Sequence, residues 1–367
     1  MRTTLPACII VGILIGGCNA FTGDFRQEAG GMEGQATVMI DSTLWEGPVG
    51  ETLRETIGGP IPTLPSREPN FALSPVHYTS QDVMERAQDH RNLLFVGTIG
   101  DTTSNESRWL YHRFSEESRE AVLNDMPVVL ARDDEWRRRQ LVYYIVAATE
   151  EVLVDAIERY SADIVYAYNL ATRQRMYREL FDIGRQRHME DHLMENHGFA
   201  VNVQHDYILA TDTTSFVWLR RILSDTWRSL FVYYADSVDP SAITPANILL
   251  LRDRLTRQYM EGTQGGFVEV VRSQPVTVDT IDFKGRFGYE IRGLWEMMGE
   301  EYGRRFQFGQ GGAFLAYAFY DEPSRRLYLI DGMLFAPGYP KREFLRQLEV
   351  IAYTFRTSQD VADTITG

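Results

Sequence analysis

Cysteine is nearly absent: of 367 residues only Cys8 and Cys18 carry a thiol. A disulfide framework is therefore excluded, and stability must come from buried apolar surface. Lysine is as scarce, Lys284 and Lys341 being the only two, so that arginine supplies almost all of the positive charge. Schiff-base and phosphate-loop mechanisms need a lysine in a defined motif, and neither residue lies in one. Positive charge is also in deficit, with 37 Lys and Arg against 51 Asp and Glu and a net charge of −14. That balance argues against a nucleic-acid partner, because phosphate backbones reward clustered cations. Long apolar runs are missing: the stretch from Ala7 to Ile15 falls short of the roughly 20 residues that span a bilayer.

What is present begins with MRTTLPACIIVGILIGGC, where Arg2 and a short apolar run precede Gly16, Gly17 and Cys18. This pattern predicts a signal peptide over residues 1–17. Ile15-Gly16-Gly17-Cys18 resembles the bacterial lipobox, so Cys18 is the expected site of lipid attachment. Two or three acyl chains at about 0.8 kcal/mol per buried methylene hold a protein on a membrane where a single chain does so only marginally. Asn19 in place of aspartate favours the outer membrane, facing the periplasm. Residues 18–36 then read as the lipidated cysteine and a flexible tether, glycine-rich and without period.

Hydrophobic residues at 44% and charged residues at 24% match folded domains, and the length suggests about two of them. An N-terminal α+β domain is expected over 37–190, with strands near 37–41, 92–98, 127–131 and 141–148. Its clearest helix is capped by Thr149 and places Leu153, Ile157, Tyr160 and Ile164 on one face. A charged segment, 185–198, without an apolar face, marks the boundary. A C-terminal α+β domain is expected over 198–358. It has strands near 199–203, 215–220, 230–235, 287–297, 313–320 and 326–335, and helices near 244–262 and 341–355. Its element order is similar to that of the PsbP-like α/β/α sandwich.

The blocks LWEGPVGETLRETIGGPIPTLPSREP, HRNLLFV, FVWLRR, YEIRGLWEM and IDGMLFAPGYPKREFLRQLE resemble those of an uncharacterised envelope lipoprotein family of the Bacteroidota, a domain of unknown function. The resemblance implies an envelope location and supplies no activity or catalytic residue.

Candidate chemistry is sparse. His188 and His192 stand one helical turn apart, a spacing able to bind a zinc-like metal with Asp191 or Glu195 as an oxygen ligand. Met189 and Asp191 occupy the places where zincin motifs need glutamate, so a solvated helix end competes with this reading. No motif demands any other cofactor. Trp45 and Glu46, at a strand-to-helix turn, are the best ligand-binding candidates, since loops carry function more often than cores do. Trp218 and Trp295 fall within strands and are expected in the core. The arginine runs at 137–139, 220–221, 304–305 and 325–326 are expected to pair with nearby carboxylates. The glycines at 309, 311 and 312 read as a loop. No G-x-S-x-G elbow is present. The expected function is binding, in envelope assembly or as a scaffold, with the membrane reached through the anchor and an envelope protein as partner. The alternatives are a periplasmic hydrolase, metal-dependent through His188 and His192, and a carrier or sensor of a small apolar or glycan ligand held between the halves.

Overall fold

The computed structural model describes residues 24–260, 262 and 265–366, so the expected signal peptide and Cys18 lie outside the described residues. The chain is α+β, with two sheet-plus-helix regions. The first comprises β1 (Gln35–Met39), α1 (Ser42–Glu46), α2 (Pro48–Glu55), β2 (Ala72–Val76), α3 (Gln81–Ala87), β3 (Asn92–Thr98), α4 (Asn105–Arg113), α5 (Glu116–Leu123), β4 (Val128–Asp133), β5 (Leu141–Ala147) and α6 (Glu150–Asp182). Its sheet runs β2-β1-β3-β5-β4, parallel except where β4 meets β5.

Both faces of this sheet are covered, which is why β3 and β5 read as unbroken apolar runs. Val38, Leu94, Val96 and Ile145 face α2 and α6, meeting Val49, Leu53, Leu153, Ile157 and Tyr168. Met39, Leu93, Phe95 and Tyr144 face the other way, toward Met84, Leu110 and Val122 of α3, α4 and α5. The 33 residues of α6, about 50 Å at 1.5 Å per residue, outrun the sheet and reach the second region.

There follow α7 (Arg187–His197), β6 (Phe199–Ala200), β7 (Ile208–Asp212), β8 (Phe216–Ile222), β9 (Trp227–Asp236), α8 (Pro245–Tyr259), β10 (Phe267–Val270), β11 (Thr277–Asp282), β12 (Phe287–Glu301), β13 (Arg304–Asp321), β14 (Arg326–Phe335), α9 (Arg342–Ala352), β15 (Arg356–Thr357) and α10 (Ser358–Thr366). The sheet runs β10-β12-β13-β14-β9-β8-β7, with β11 also on β12. Ile248 and Leu255 of α8 pack against Phe314, Ala316, Leu329 and Met333 on one face. Leu193 of α7 and Leu345, Leu348 and Ile351 of α9 pack against Leu315, Tyr317, Tyr328 and Ile330 on the other. The second region is thus an α/β/α sandwich. Inside the α8 layer Arg252 and Asp331 are both fully buried, with Arg252 Nε donating to Asp331 Oδ2 at 2.7 Å and the guanidinium over the Phe314 ring.

Three sequence expectations are corrected. The tether ends earlier than residue 36: Ala29 is buried, Gly30 N donates to the Asp89 carbonyl at 2.7 Å, and buried Glu33 accepts from Arg175 Nε at 2.9 Å. Isolated anchors of this kind leave no periodicity. The segment 185–198, expected as the boundary, carries the helix read at His188 and His192, α7, into the second region's core: its Leu193 is buried there and its Glu190 accepts from Arg185 Nε at 2.6 Å, so one leucine and a buried carboxylate do the work of an apolar face. The glycine run at 309–312 lies inside β13 rather than in a loop. There Gly312 is required by close approach, since a Cβ would stand 1.9 Å from the Leu334 carbonyl oxygen.

The arginine runs do find carboxylates, with Arg137 on Asp89, Arg138 and Arg139 on Glu28, Arg221 on Asp206, Arg305 on Glu269 and Arg326 on Asp236. Trp295 is buried in the strand core. Among the described residues no helix is long and apolar enough to cross a membrane.

Candidate functional site

The two regions meet along α9, which buries one face on the second sheet and turns the other toward α6 and the proline-rich loop 58–71. Lys341, at the start of α9, offers no side-chain cap. Glu68 supplies one from across the seam, accepting from Lys341 N at 2.8 Å and Arg342 N at 2.9 Å, where the positive end of the helix dipole favours a carboxylate. Arg346 continues the contact, donating to the Asn70 carbonyl at 2.9 Å and to Asn169 Oδ1 at 3.0 Å.

At the centre is Glu349. It accepts from Arg173 Nε at 3.1 Å and Nη2 at 2.5 Å on α6, and from Arg292 Nη2 at 2.9 Å on β12. Burial alone would raise its carboxyl, but Arg292 and Arg173 outweigh burial and hold it down from 4.5 to about 2. The Arg173 guanidinium also lies 3.6 Å from the centre of the Tyr353 ring. Burial pushes the Tyr353 hydroxyl up to about 12, Arg173 opposing.

Beside this hub opens a cleft of about 760 Å³, lined by Leu170, Arg173, Gln174, Tyr177, Arg178, Arg185, Asn202, Lys284, Val350, Tyr353, Thr354 and Arg356. Five of these side chains are cationic and none is a carboxylate, in a chain of net charge −14. Local structure explains each placement. Leu170, Arg173, Gln174, Tyr177 and Arg178 recur at helical spacing on the part of α6 that projects past the first sheet. Lys284 and Gly285 form the two-residue turn between β11 and β12, with φ of 57° and 84°, closed by Phe283 N donating to the Arg286 carbonyl at 2.8 Å. These are the dihedrals of a type I′ hairpin. The turn carries the Lys284 ammonium to the Phe355 carbonyl at 2.6 Å. Burial pushes that ammonium below its ordinary value, Asp360 opposing while Arg286 and Arg356 add to the push. Arg356 is set by the pairing of β15 with β6 and donates to Asn202 Oδ1 at 2.8 Å. Arg185 and Arg356 share the single carboxylate of Glu190. The lining holds five cations, two tyrosines and no histidine or carboxylate, a donor set that suits anions.

The sequence-predicted site residues lie elsewhere. Trp45, in α1 past the carboxyl end of β1, packs against the core under α2 with the Arg54 guanidinium 4.8 Å from its ring centre. Glu46 beside it is exposed. His188 is exposed on α7, and His192 is turned away to Asp212, its Nε2 2.7 Å from Oδ2. The other Asp212 oxygen meets buried His197 at 2.8 Å, and His197 Nδ1 lies 3.2 Å from the Tyr234 hydroxyl. The structure therefore brings His192 together with His197 and not with His188. Among the described residues no group of three or more His, Cys, Asp and Glu could hold a metal ion. A groove between the halves was among the alternatives read from sequence, but none of the cleft's lining residues was. The available signals were the rarity of lysine, which makes Lys284 conspicuous, and the three arginines at 173, 175 and 178.

The model of one domain of unknown function, DUF8532, matches residues 29–181, and that of another, DUF4837, matches residues 186–354. No curated protein sequence matches the chain. Among solved structures the chain is similar to the Saccharomyces cerevisiae Ran-binding protein Mog1p, at 14% identity and a TM-score of 0.31, covering 45% of this chain and 92% of that one. It is also similar to a Bacteroides thetaiotaomicron protein at 10% identity and a TM-score of 0.22, covering 44% and 45%. Superpositions this loose carry no argument about activity.

Proposed function

We propose that this chain is a lipid-anchored protein of the bacterial cell envelope, of a Bacteroidota lipoprotein family, that acts by binding through the cleft between α6 and α9. The observation that carries the reading is that cleft: five cations and no carboxylate in a strongly acidic chain, at a seam between two folded regions, where ligand sites tend to form. The lipobox-like Cys18 supports an anchor. Fewer than ten residues separate it from Glu28, where the chain joins the fold, so the anchored domain stays close to its membrane. The outer membrane, periplasmic side, is the proposed address, and a role in envelope assembly or as a scaffold follows from a binding surface held there.

Two measurements in cells test this. Cys18→Ser should release the protein from the membrane fraction, and retention in the outer membrane would overturn the anchor. A photo-crosslinking residue at Tyr177 should capture a discrete adduct, identified by mass spectrometry. If the same residue at Tyr302, 96% exposed on the distant β12–β13 turn, gives an identical adduct pattern, the cleft is not the binding surface.

A further inference from the structure

We infer that the cleft takes a ligand bearing a phosphate or pyrophosphate group joined to an apolar body; this rests on the binding reading above and names its ligand class. The cations are under-neutralised from within. Arg185 and Arg356 divide one carboxylate, that of Glu190. Arg173 shares Glu349 with Arg292, which holds Glu290 as well, so the surplus lies with Arg185, Arg356, Arg178 and Lys284. Among the described residues the Arg178 guanidinium makes no ion pair or side-chain hydrogen bond, and Lys284 spends one of an ammonium's three donors on the Phe355 carbonyl,. A monocarboxylate would answer one of these charges. A phosphate carries about two negative charges and three acceptor oxygens, matching guanidinium forks that bind it in a bidentate way.

The rest of the cleft sets the ligand's other half. About 760 Å³ lies within the range of sites for whole small molecules and exceeds what a bare inorganic anion fills. Leu170 and Tyr177, 37% and 40% exposed, with Val350 and Tyr353, give it apolar walls beside the cations. A polyanion such as nucleic acid is opposed by the net charge of −14, whereas a small anion meets only the local field. An anionic lipid headgroup and a soluble phosphorylated compound share this chemistry.

The test uses the mature chain from residue 18 carrying Cys18→Ser, so that no acyl chain confounds the result. Calorimetric titration with pyrophosphate at low salt should show saturable binding, tighter than with inorganic phosphate and weakening as sodium chloride rises. The double variant Arg178→Gln/Lys284→Gln should bind pyrophosphate at least tenfold more weakly with an unchanged circular dichroism spectrum, while Arg178→Lys retains binding. Flotation with phosphatidylglycerol vesicles, against phosphatidylcholine alone, separates the sources. Flotation competed by pyrophosphate assigns a lipid headgroup, and pyrophosphate binding without flotation assigns a soluble ligand. Absence of both, or a double variant that binds as well as its parent, overturns the ligand class. A Tyr177 crosslink that survives such a failure would leave the binding reading standing with a different ligand.

Discussion

Replacing Glu349 with glutamine should be the most damaging single change at the seam, and its damage should depend on pH. Glu349 joins Arg173 of α6 to Arg292 of β12, so Glu349→Gln leaves the largely desolvated Arg173 guanidinium without its counter-charge and Arg292 with Glu290 alone. Breaking one side of a buried ion pair costs about 3 to 5 kcal/mol. An independent route gives a similar size: lowering the carboxyl from 4.5 to about 2 corresponds to about 3 kcal/mol at ~1.36 kcal/mol per pH decade. The folded-state value is depressed, so the stabilisation is complete above the unfolded value of 4.5 and is lost as pH falls through about 2,. Urea titrations of parent and variant should therefore differ by about 3 kcal/mol or more at pH 7 and should converge to within about 1 kcal/mol near pH 2.5. A gap that stays constant across that range would refute the reasoning, because glutamine cannot titrate and the parent would then owe nothing to an ionised Glu349. A gap below about 1 kcal/mol at pH 7 would refute it as well, placing the pair among solvent-screened bridges.

Glu68→Ala removes the carboxylate that caps α9 from the other region and should lower stability by about 1 to 2 kcal/mol; an unchanged urea midpoint would mean that water caps the helix instead. Gly312→Ala places a Cβ 1.9 Å from the Leu334 carbonyl oxygen and should cost about 2 to 3 kcal/mol by forcing β13 and β14 apart, checked by thermal melting; a melt like the parent's would show that the strands yield freely. Asp331→Ala leaves the buried Arg252 charge with only Asp253, 4.0 Å from its Nη1, and should cost about 3 kcal/mol, while the paired change Arg252→Met/Asp331→Leu should come within about 1 kcal/mol of the parent or exceed it. A double variant as unstable as the single one would assign the pair a stabilising role of its own.

The elements legible in the sequence are those whose side chains answer to one partner layer at a time. β3 and β5 are continuous apolar runs, α6 and α8 open on capping threonines, and β14 follows a short turn after Asp321, so local pattern and tertiary role coincide. Where they diverge the pattern misleads. α4 and α5 bury little besides Leu110 and Val122 among charged residues, too few anchors to show a period. β10 and β11 share one edge of β12, and β11 is mostly exposed, so neither has the alternation of a half-buried strand. The Glu33 to Arg175 pair spans 142 positions, and no window of sequence contains both partners.

The cleft was hidden for the same reason in a stronger form. Its cations come from α6, the α6–α7 turn, the β11–β12 turn and β15, spread from Arg173 to Arg356. Arg173 and Arg178 stand with Arg175 in one basic stretch of α6, but Lys284 and Arg356 lie far from them in the sequence. The asymmetry arises only in three dimensions, where Glu349 and Glu190 are turned inward to hold the seam and α7 while the arginines they serve keep further donors facing the cleft. Glu190, used twice for structure, leaves one cation in excess. The seam that joins the two regions therefore generates the positive field beside it, and any ligand anion drawn to Arg173 must compete with the carboxylate that ties α6 to α9.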